Sequence, residues 1–180
     1  MKSVLLFLLF ISLLSKAQYN CYEDNYNITL QFIKQTNDTN ITNYTKKRLE
    51  LSNKVIGCQY PNILLECFNA DTNYLFSIES DIVILNFNYY YCDWCKELLQ
   101  EFVDYKHKSK QTVKIISVFK ENKSDIFDLS ERFKNEIEIV ANFPKNVDYY
   151  ALLSGLPTTF ILDKNKHILQ LLQFENQTIK

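Results

Sequence analysis

The spacing of hydrophobic positions changes several times along the chain, and each change marks an element. Residues 82–87 (IVILNF) are a continuous apolar run with β-branched side chains, the pattern of a strand covered on both faces. A second run of this kind, VKIISVF, spans 113–119. Between them, from about Cys92 to His107, Leu98, Leu99, Phe102, Val103 and Tyr105 supply the buried face of an expected helix. Ser124 is a candidate cap for a further helix through Ile126, Phe127, Leu129 and Phe133. A short strand at 137–140 and a short helix near 148–153 are expected next. The segments 158–162 and 168–172 then read as a hairpin turning through Asp163-Lys164-Asn165-Lys166. The order β-α-β-α followed by β-β predicts an α/β fold with a mixed central sheet flanked by helices.

Upstream the pattern is weaker. Segments 63–68 and 74–78 predict a β-hairpin with Asn69-Ala70-Asp71 at its turn. Residues 18–52 are polar and rich in Asn and Thr, with two short helical patterns: Ile28, Phe32 and Ile33, then Tyr44, Arg48, Leu49 and Leu51. They read as a helical extension packed on a main domain covering 53–180. Residues 1–17 read as a signal peptide. Lys2 precedes an apolar run from Val4 to Leu14 that only Ser12 interrupts, and Ser15-Lys16-Ala17 places small residues before a cut after Ala17. The run is about half the ~20 residues that a bilayer-spanning helix needs. An uncleaved anchor is the alternative; a lipid-modified Cys21 fits less well, because Gln18-Tyr19-Asn20 lacks the small and aliphatic residues expected before it. The expected location is extracytoplasmic, the periplasm in a Gram-negative cell.

Composition narrows the function. Of 180 residues, 47% are hydrophobic and 14% aromatic, sufficient for an ordinary core without a metal or a disulfide cage. The net charge of −1 argues against nucleic acid as a partner. With only two glycines in the chain, Gly57 and Gly155 mark expected tight turns. Sequons at Asn27, Asn37, Asn40, Asn43, Asn122 and Asn176 are glycosylation candidates in a eukaryotic secretory route, and equally what an Asn/Thr-rich chain produces by chance. All five cysteines (Cys21, Cys58, Cys67, Cys92 and Cys95) follow the expected cut, and an odd count leaves one thiol unpaired or bridged to another molecule. Cys21 is open to pairing with Cys58 or Cys67, whereas Cys58 and Cys67 flank an expected extended strand and suit each other poorly.

Cys92-Asp93-Trp94-Cys95 lies just after a buried strand and at the start of a helix. Cysteines three apart sit on adjacent turns of one helix face, close enough for a short disulfide. At the helix N-terminus, unpaired backbone N–H groups and the positive end of the dipole favour an anion, so Cys92 is the expected attacking thiolate. Cys95, one turn in, is expected to be more buried and to act second, resolving a mixed disulfide. The Asp93 carboxylate disfavours a neighbouring thiolate and so predicts a reducing pair; capping the helix is its other reading. Trp94 either packs over the disulfide or is a surface aromatic.

Ile84-Leu85-Asn86-Phe87-(x4)-Cys92-x-x-Cys95 resembles the thioredoxin-like thiol-disulfide oxidoreductases of the TlpA/ResA kind. Val55-Ile56-Gly57-(x3)-Pro61 resembles the segment leading into their first hairpin, and Gly155-Leu156-Pro157-Thr158-Thr159-Phe160-Ile161-Leu162-Asp163 resembles their cis-proline strand. The resemblance covers roughly residues 51–172. It implies a thioredoxin-like fold with an N-terminal β-hairpin, Cys92 and Cys95 as a redox-active disulfide, and a cis Leu156–Pro157 bond facing them. It further implies that the Leu156 backbone binds an extended client peptide, and that the protein takes part in cell redox homeostasis. No cofactor and no metal are implied. The expected partners are protein thiols or disulfides and an electron donor, and a monomer is expected. Two family positions differ: the buried acid six residues before the first cysteine is Asn86, and the glutamate three after the second is Leu98, with Glu97 and Glu101 nearby. The usual long C-terminal helix is absent or very short after Phe174, leaving one sheet face thinly covered or covered by the N-terminal extension.

Other site chemistries fit the sequence less well. A zinc site of Cys58, Cys67, Cys92 and Cys95 lacks two close ligand pairs. A peroxiredoxin needs Thr where Tyr89 stands, and copper-delivery relatives space their cysteines by three residues. His107 and His167 are lone histidines near element ends, expected to be solvated. A non-catalytic thioredoxin-like binding module, with a purely structural Cys92–Cys95 bridge, is the main alternative.

Overall fold

The computed structural model describes residues 21–35, 41–68, 73–143 and 156–173. The expected signal segment, the hairpin turn at 69–71, the helix near 148–153, Gly155 and the tail after Gln173 lie outside these residues. In chain order the elements are α1 (residues 21–35), α2 (Ile41–Ser52), β1 (Leu64–Leu65), β2 (Asn73–Tyr74), β3 (Ile82–Asn88), α3 (Asp93–Lys108), β4 (Val113–Phe119), α4 (Phe127–Arg132), β5 (Ile137–Val140), β6 (Thr158–Asp163) and β7 (Ile168–Gln173).

Five strands form one sheet in the order β5-β4-β3-β6-β7. β3 runs parallel to β4, and β4 to β5, while β6 and β7 run antiparallel. Parallel neighbours require crossovers, which α3 and α4 supply. β3 is central, and all seven of its residues are buried. Its alternation divides the core. Val83, Leu85 and Phe87 join a cluster with Tyr22, Tyr26, Tyr60, Leu65 and Phe160. Ile82 and Ile84 join a second cluster with Leu98, Leu99 and Phe102 of α3. Each fully buried Leu or Ile contributes about 1.5–3 kcal/mol of transfer free energy, so the double-faced apolar run itself fixes β3 at the centre. The result is the expected mixed α/β sheet flanked by helices, a thioredoxin-like architecture.

α1 packs on the sheet face opposite α3. Tyr22 meets Tyr60 edge to face at 5.4 Å between centroids, and Tyr60 meets Phe160 at 4.8 Å. A disulfide joins Cys21 to Cys58, their Cα atoms 5.6 Å apart, which selects one of the two open pairings. Gly57 takes φ +87°, a region closed to most side chains, and its N–H donates to the Ile168 carbonyl at 2.8 Å. The Ile168 N–H in turn donates to the Cys58 carbonyl at 2.9 Å, so the bridge anchors α1 to a segment already hydrogen-bonded to β7.

Several expectations change. In α1 the buried face is Tyr22, Tyr26 and Thr29, while Ile28 is exposed, because the ring-lined surface it meets accepts the tyrosines. The small hairpin is shorter than expected: each strand has two residues, and Leu75–Ser77 is a 3₁₀ turn that buries Leu75. Ser124 caps nothing. Its hydroxyl turns to the Asp125 carboxylate at 3.3 Å, a 3₁₀ turn spans Lys123–Ile126, and Phe127 is exposed. His107 is exposed and meets Glu136 at 3.1 Å, but His167 is partly buried against Asp163 at 3.3 Å.

Candidate functional site

β3 ends at Asn88, and the chain turns through Tyr89–Tyr91 into α3. Two contacts hold the turn: the Cys92 N–H donates to the Tyr89 carbonyl at 3.4 Å, and the Tyr90 N–H donates to the Glu121 carboxylate at 3.1 Å. The Tyr90 hydroxyl donates to Asp128 at 3.1 Å, and that carboxylate holds the phenol above its ordinary pKa. Cys92 is the N-cap of α3, in extended conformation, and its Sγ accepts the Cys95 N–H at 3.1 Å. One of the unpaired donors at the helix start is thus aimed at sulfur, the arrangement that favours a thiolate there.

Cys92 and Cys95 are joined by a disulfide, their Cα atoms 5.2 Å apart. Cys92 is partly exposed and Cys95 is 1% exposed. Asp93 stands at the first helical position and does not cap; its side chain is 96% exposed and lies 3.6 Å from the Lys96 ammonium. Trp94 is half-buried.

The Leu156–Pro157 bond is cis and enters β6. β6 pairs with β3 through Phe87↔Thr158 and Asn86↔Thr159, so Pro157 arrives at the sheet end from which the chain leaves toward Cys92. Leu156 is half-buried against the α1-side cluster, and Pro157 is buried.

The strand position six residues before Cys92 opens onto a neutral network. Asn86 Nδ2 donates to the Thr159 hydroxyl at 2.8 Å, and the Ser117 hydroxyl donates to Asn86 Oδ1 at 3.2 Å. Asn88 Nδ2 donates to Ser117 at 2.9 Å and also to Asn86 Oδ1. All four side chains are buried. Asn86 faces Ser117 on one side and Thr159 on the other in register, and it shares its strand face with Ile84, the face that α3 covers. Leu98 is buried in that layer, while Glu97 and Glu101 point to solvent. Sequence reasoning identified Asn86 but missed Ser117 and Thr159, which share its level across three strands, and Asn88, two residues further along the same face of β3. It also missed Lys96, although a cation four residues after Cys92 lies on the same helix face.

Cys67 is outside both disulfides and buried; burial, reinforced by Glu138, pushes its thiol up to about 11.

This sheet order, with a cysteine pair at the head of the first crossover helix and a cis-proline leading into the antiparallel strand beside β3, is a thioredoxin-like fold. Solved structures carry the same fold. A thioredoxin-like protein from Bacteroides caccae is similar with a TM-score of 0.53 and 22% identity, over 69% of this chain. The match spans 48% of that protein, so this chain corresponds to about half of it. The thioredoxin domain of a thiol-disulfide oxidoreductase from Bacteroides vulgatus gives a TM-score of 0.56 at 17% identity, covering 67% of this chain and 91% of that one. A thiol:disulfide interchange protein from Bacteroides sp. gives 0.52 at 20%, covering 64% and 80%. No protein-family model matches the chain, and no curated protein matches it by sequence.

Proposed function

We propose that this protein is a thiol-disulfide oxidoreductase that works outside the cytoplasm and exchanges disulfides with client proteins through Cys92 and Cys95. One observation carries the reading: a partly exposed cysteine at a helix N-cap, bridged to a buried cysteine one turn later. In the reduced protein, the Cys92 thiolate attacks one sulfur of a client disulfide. A Cys92–client bond forms, the client bond breaks, and the departing client sulfur takes up a proton. Cys95, as thiolate, then attacks the Cys92 sulfur, forming the Cys92–Cys95 bond and releasing the second client thiol. The client gains two electrons and the protein loses two, so a dithiol donor must reduce the pair again.

Leu156 offers its backbone to an extended client segment beside Pro157, and Trp94 borders the same end of the sheet. Reduction is the direction assigned, because the Asp93 carboxylate directly follows Cys92. The apolar run at 4–14 supports export, and no helix among the described residues is long and apolar enough to cross a membrane.

Insulin reduction by wild type and Cys92→Ser tests the activity. Turnover by wild type that is lost in the variant is expected, and no turnover by wild type overturns the reading. Cys95→Ser, which cannot resolve, should accumulate a mixed disulfide with its client, identifiable by mass spectrometry. A second reading, a binding module with a structural bridge, draws on the neutral Asn86 and the apolar Leu98, which leave no buried carboxylate among the described residues beneath the pair. It predicts a Cys92–Cys95 bridge that resists mild reductant.

A further inference from the structure

Reduction of the cysteine pair creates a buried donor that the disulfide form lacks. Opening the Cys92–Cys95 bond takes two electrons and two protons, and one proton becomes an S–H on Cys95, a residue 1% exposed. A thiol is a weak donor, and a buried one is stabilised by an acceptor beside it. Cys95 is the third residue of α3 and belongs to neither of the two apolar clusters, whereas Leu98 and Leu99, one turn later, pack with Ile82 and Ile84. α3 carries the chain from the Asn88 end of β3 back to Val113, which is in register with Ile82, so it runs over β3 in the opposite direction. One helical turn advances about 5.4 Å, and two strand residues about 6.6 Å. One turn back from the leucines is therefore two positions along β3, from Ile84 to Asn86, and the helix head lies over Asn86 and Asn88.

At this level the core is polar. Asn86 Oδ1 accepts from the Ser117 hydroxyl, the Ser117 oxygen accepts from Asn88 Nδ2, and the Thr159 oxygen accepts from Asn86 Nδ2. Asn88 Oδ1 is the acceptor left over: the residue is 0% exposed, and this oxygen has no hydrogen-bond donor. Turning the amide over would set that oxygen against Asn86 Oδ1, to which Asn88 Nδ2 now donates. A buried acceptor without a donor is costly, and native folds keep few of them.

We infer that Asn88 is a redox-tuning residue: its Oδ1 accepts the Cys95 S–H when the pair is reduced, a bond that the disulfide cannot make. This rests on the exchange activity proposed above and adds what governs its resolving thiol. The oxidised protein carries the unsatisfied oxygen and the reduced protein does not. Asn88 thus stabilises the dithiol and limits how reducing the pair becomes, against the direction set by Asp93. It also keeps the proton on Cys95 until Cys92 has captured a client, since a bond to the neutral thiol disfavours its thiolate.

The test reads the S–H stretching band by infrared spectroscopy in the full chain. With Cys92→Ser and Cys67→Ala as background and Cys21–Cys58 oxidised, Cys95 is the one thiol. Asn88→Ala should move the band to higher frequency and weaken it, as losing an acceptor does to a donor's stretch. Thr159→Val, which opens the same network at its other end, should leave the band in place. With Cys92, Cys95 and Cys67 all intact, Asn88→Ala should shift the equilibrium with glutathione about threefold toward the disulfide. A band or an equilibrium unmoved by Asn88→Ala overturns the inference, as does a band that Thr159→Val moves equally. Unfolding midpoints report whether the variants are folded, and Asn88→Leu repeats the measurements if Asn88→Ala is not. The band needs no turnover. A band shifted by Asn88→Ala without insulin reduction would sink the proposed activity and leave this inference standing; an unmoved band with insulin reduction would do the reverse.

Discussion

Replacing both Cys21 and Cys58 by alanine tests what holds the N-terminal helix in place. The bond closes a loop with a sequence separation of 37 residues. Restricting a loop of that length in the unfolded chain stabilises the fold by about 4 kcal/mol on the chain-entropy estimate. Cys58 is sealed in the core at 1% exposure, so alanine there loses little beyond the sulfur and places no polar atom in the cluster. For a domain of this size the loss corresponds to a fall of about 8–16 °C in unfolding midpoint. The loss should also concentrate locally, because with the bond gone α1 holds on through Tyr22 and Tyr26, which join the cluster of Tyr60 and Phe160, and through the buried Thr29. The assay is thermal unfolding of wild type and Cys21→Ala/Cys58→Ala, with Cys92–Cys95 oxidised in both, alongside hydrogen exchange of residues 21–35. A midpoint within about 2 °C of wild type, with unchanged exchange in α1, would refute the claim that the bond clamps this helix over the sheet.

Three further outcomes are expected. Asn86→Ala leaves the Thr159 and Ser117 hydroxyls short of a buried partner and should cost about 1–3 kcal/mol in urea unfolding; a loss below about 0.5 kcal/mol would mean that the network does not hold the strands together. The Asp81 carboxylate accepts the N–H and the hydroxyl of Thr112, which holds it below the usual carboxylate range. A depressed folded-state value contributes stability above the unfolded value, lost as pH falls through the folded one, so Asp81→Asn should flatten the decline in unfolding midpoint below about pH 4. An acid limb identical to wild type would contradict this. Cys67, with its thiol raised to about 11, should resist a thiol reagent at pH 8 in the folded protein and react at once in urea; rapid labelling without denaturant would show that the site is open.

Where one stretch of chain supplies its own pattern, the structure follows it closely. β4 spans Val113–Phe119, the run read from spacing, and β3 extends its expected run by a single residue, Asn88. α3 begins at Asp93 with Cys92 as its cap, and Leu98, Leu99, Phe102 and Val103 are its buried face. Agreement fails where a side chain had to choose between local and distant partners. Ser124 found Asp125 instead of a helix end, and Ile28 was turned outward. The Asp93 carboxylate, adjacent to Cys92 in the chain, is in space paired to Lys96 and almost wholly in water.

The amino-acid order alone determined the two doubly covered strands, the helix between them and the position of a cysteine pair at its head. These depend on the identities of residues within one turn or one pleat of each other, and such neighbours stay neighbours in any fold. Tertiary structure decided the partner of Cys21, the inward face of α1, and the level shared by Asn86, Ser117 and Thr159. Each of these joins groups brought together or oriented by docking, and docking depends on how all the surfaces fit at once.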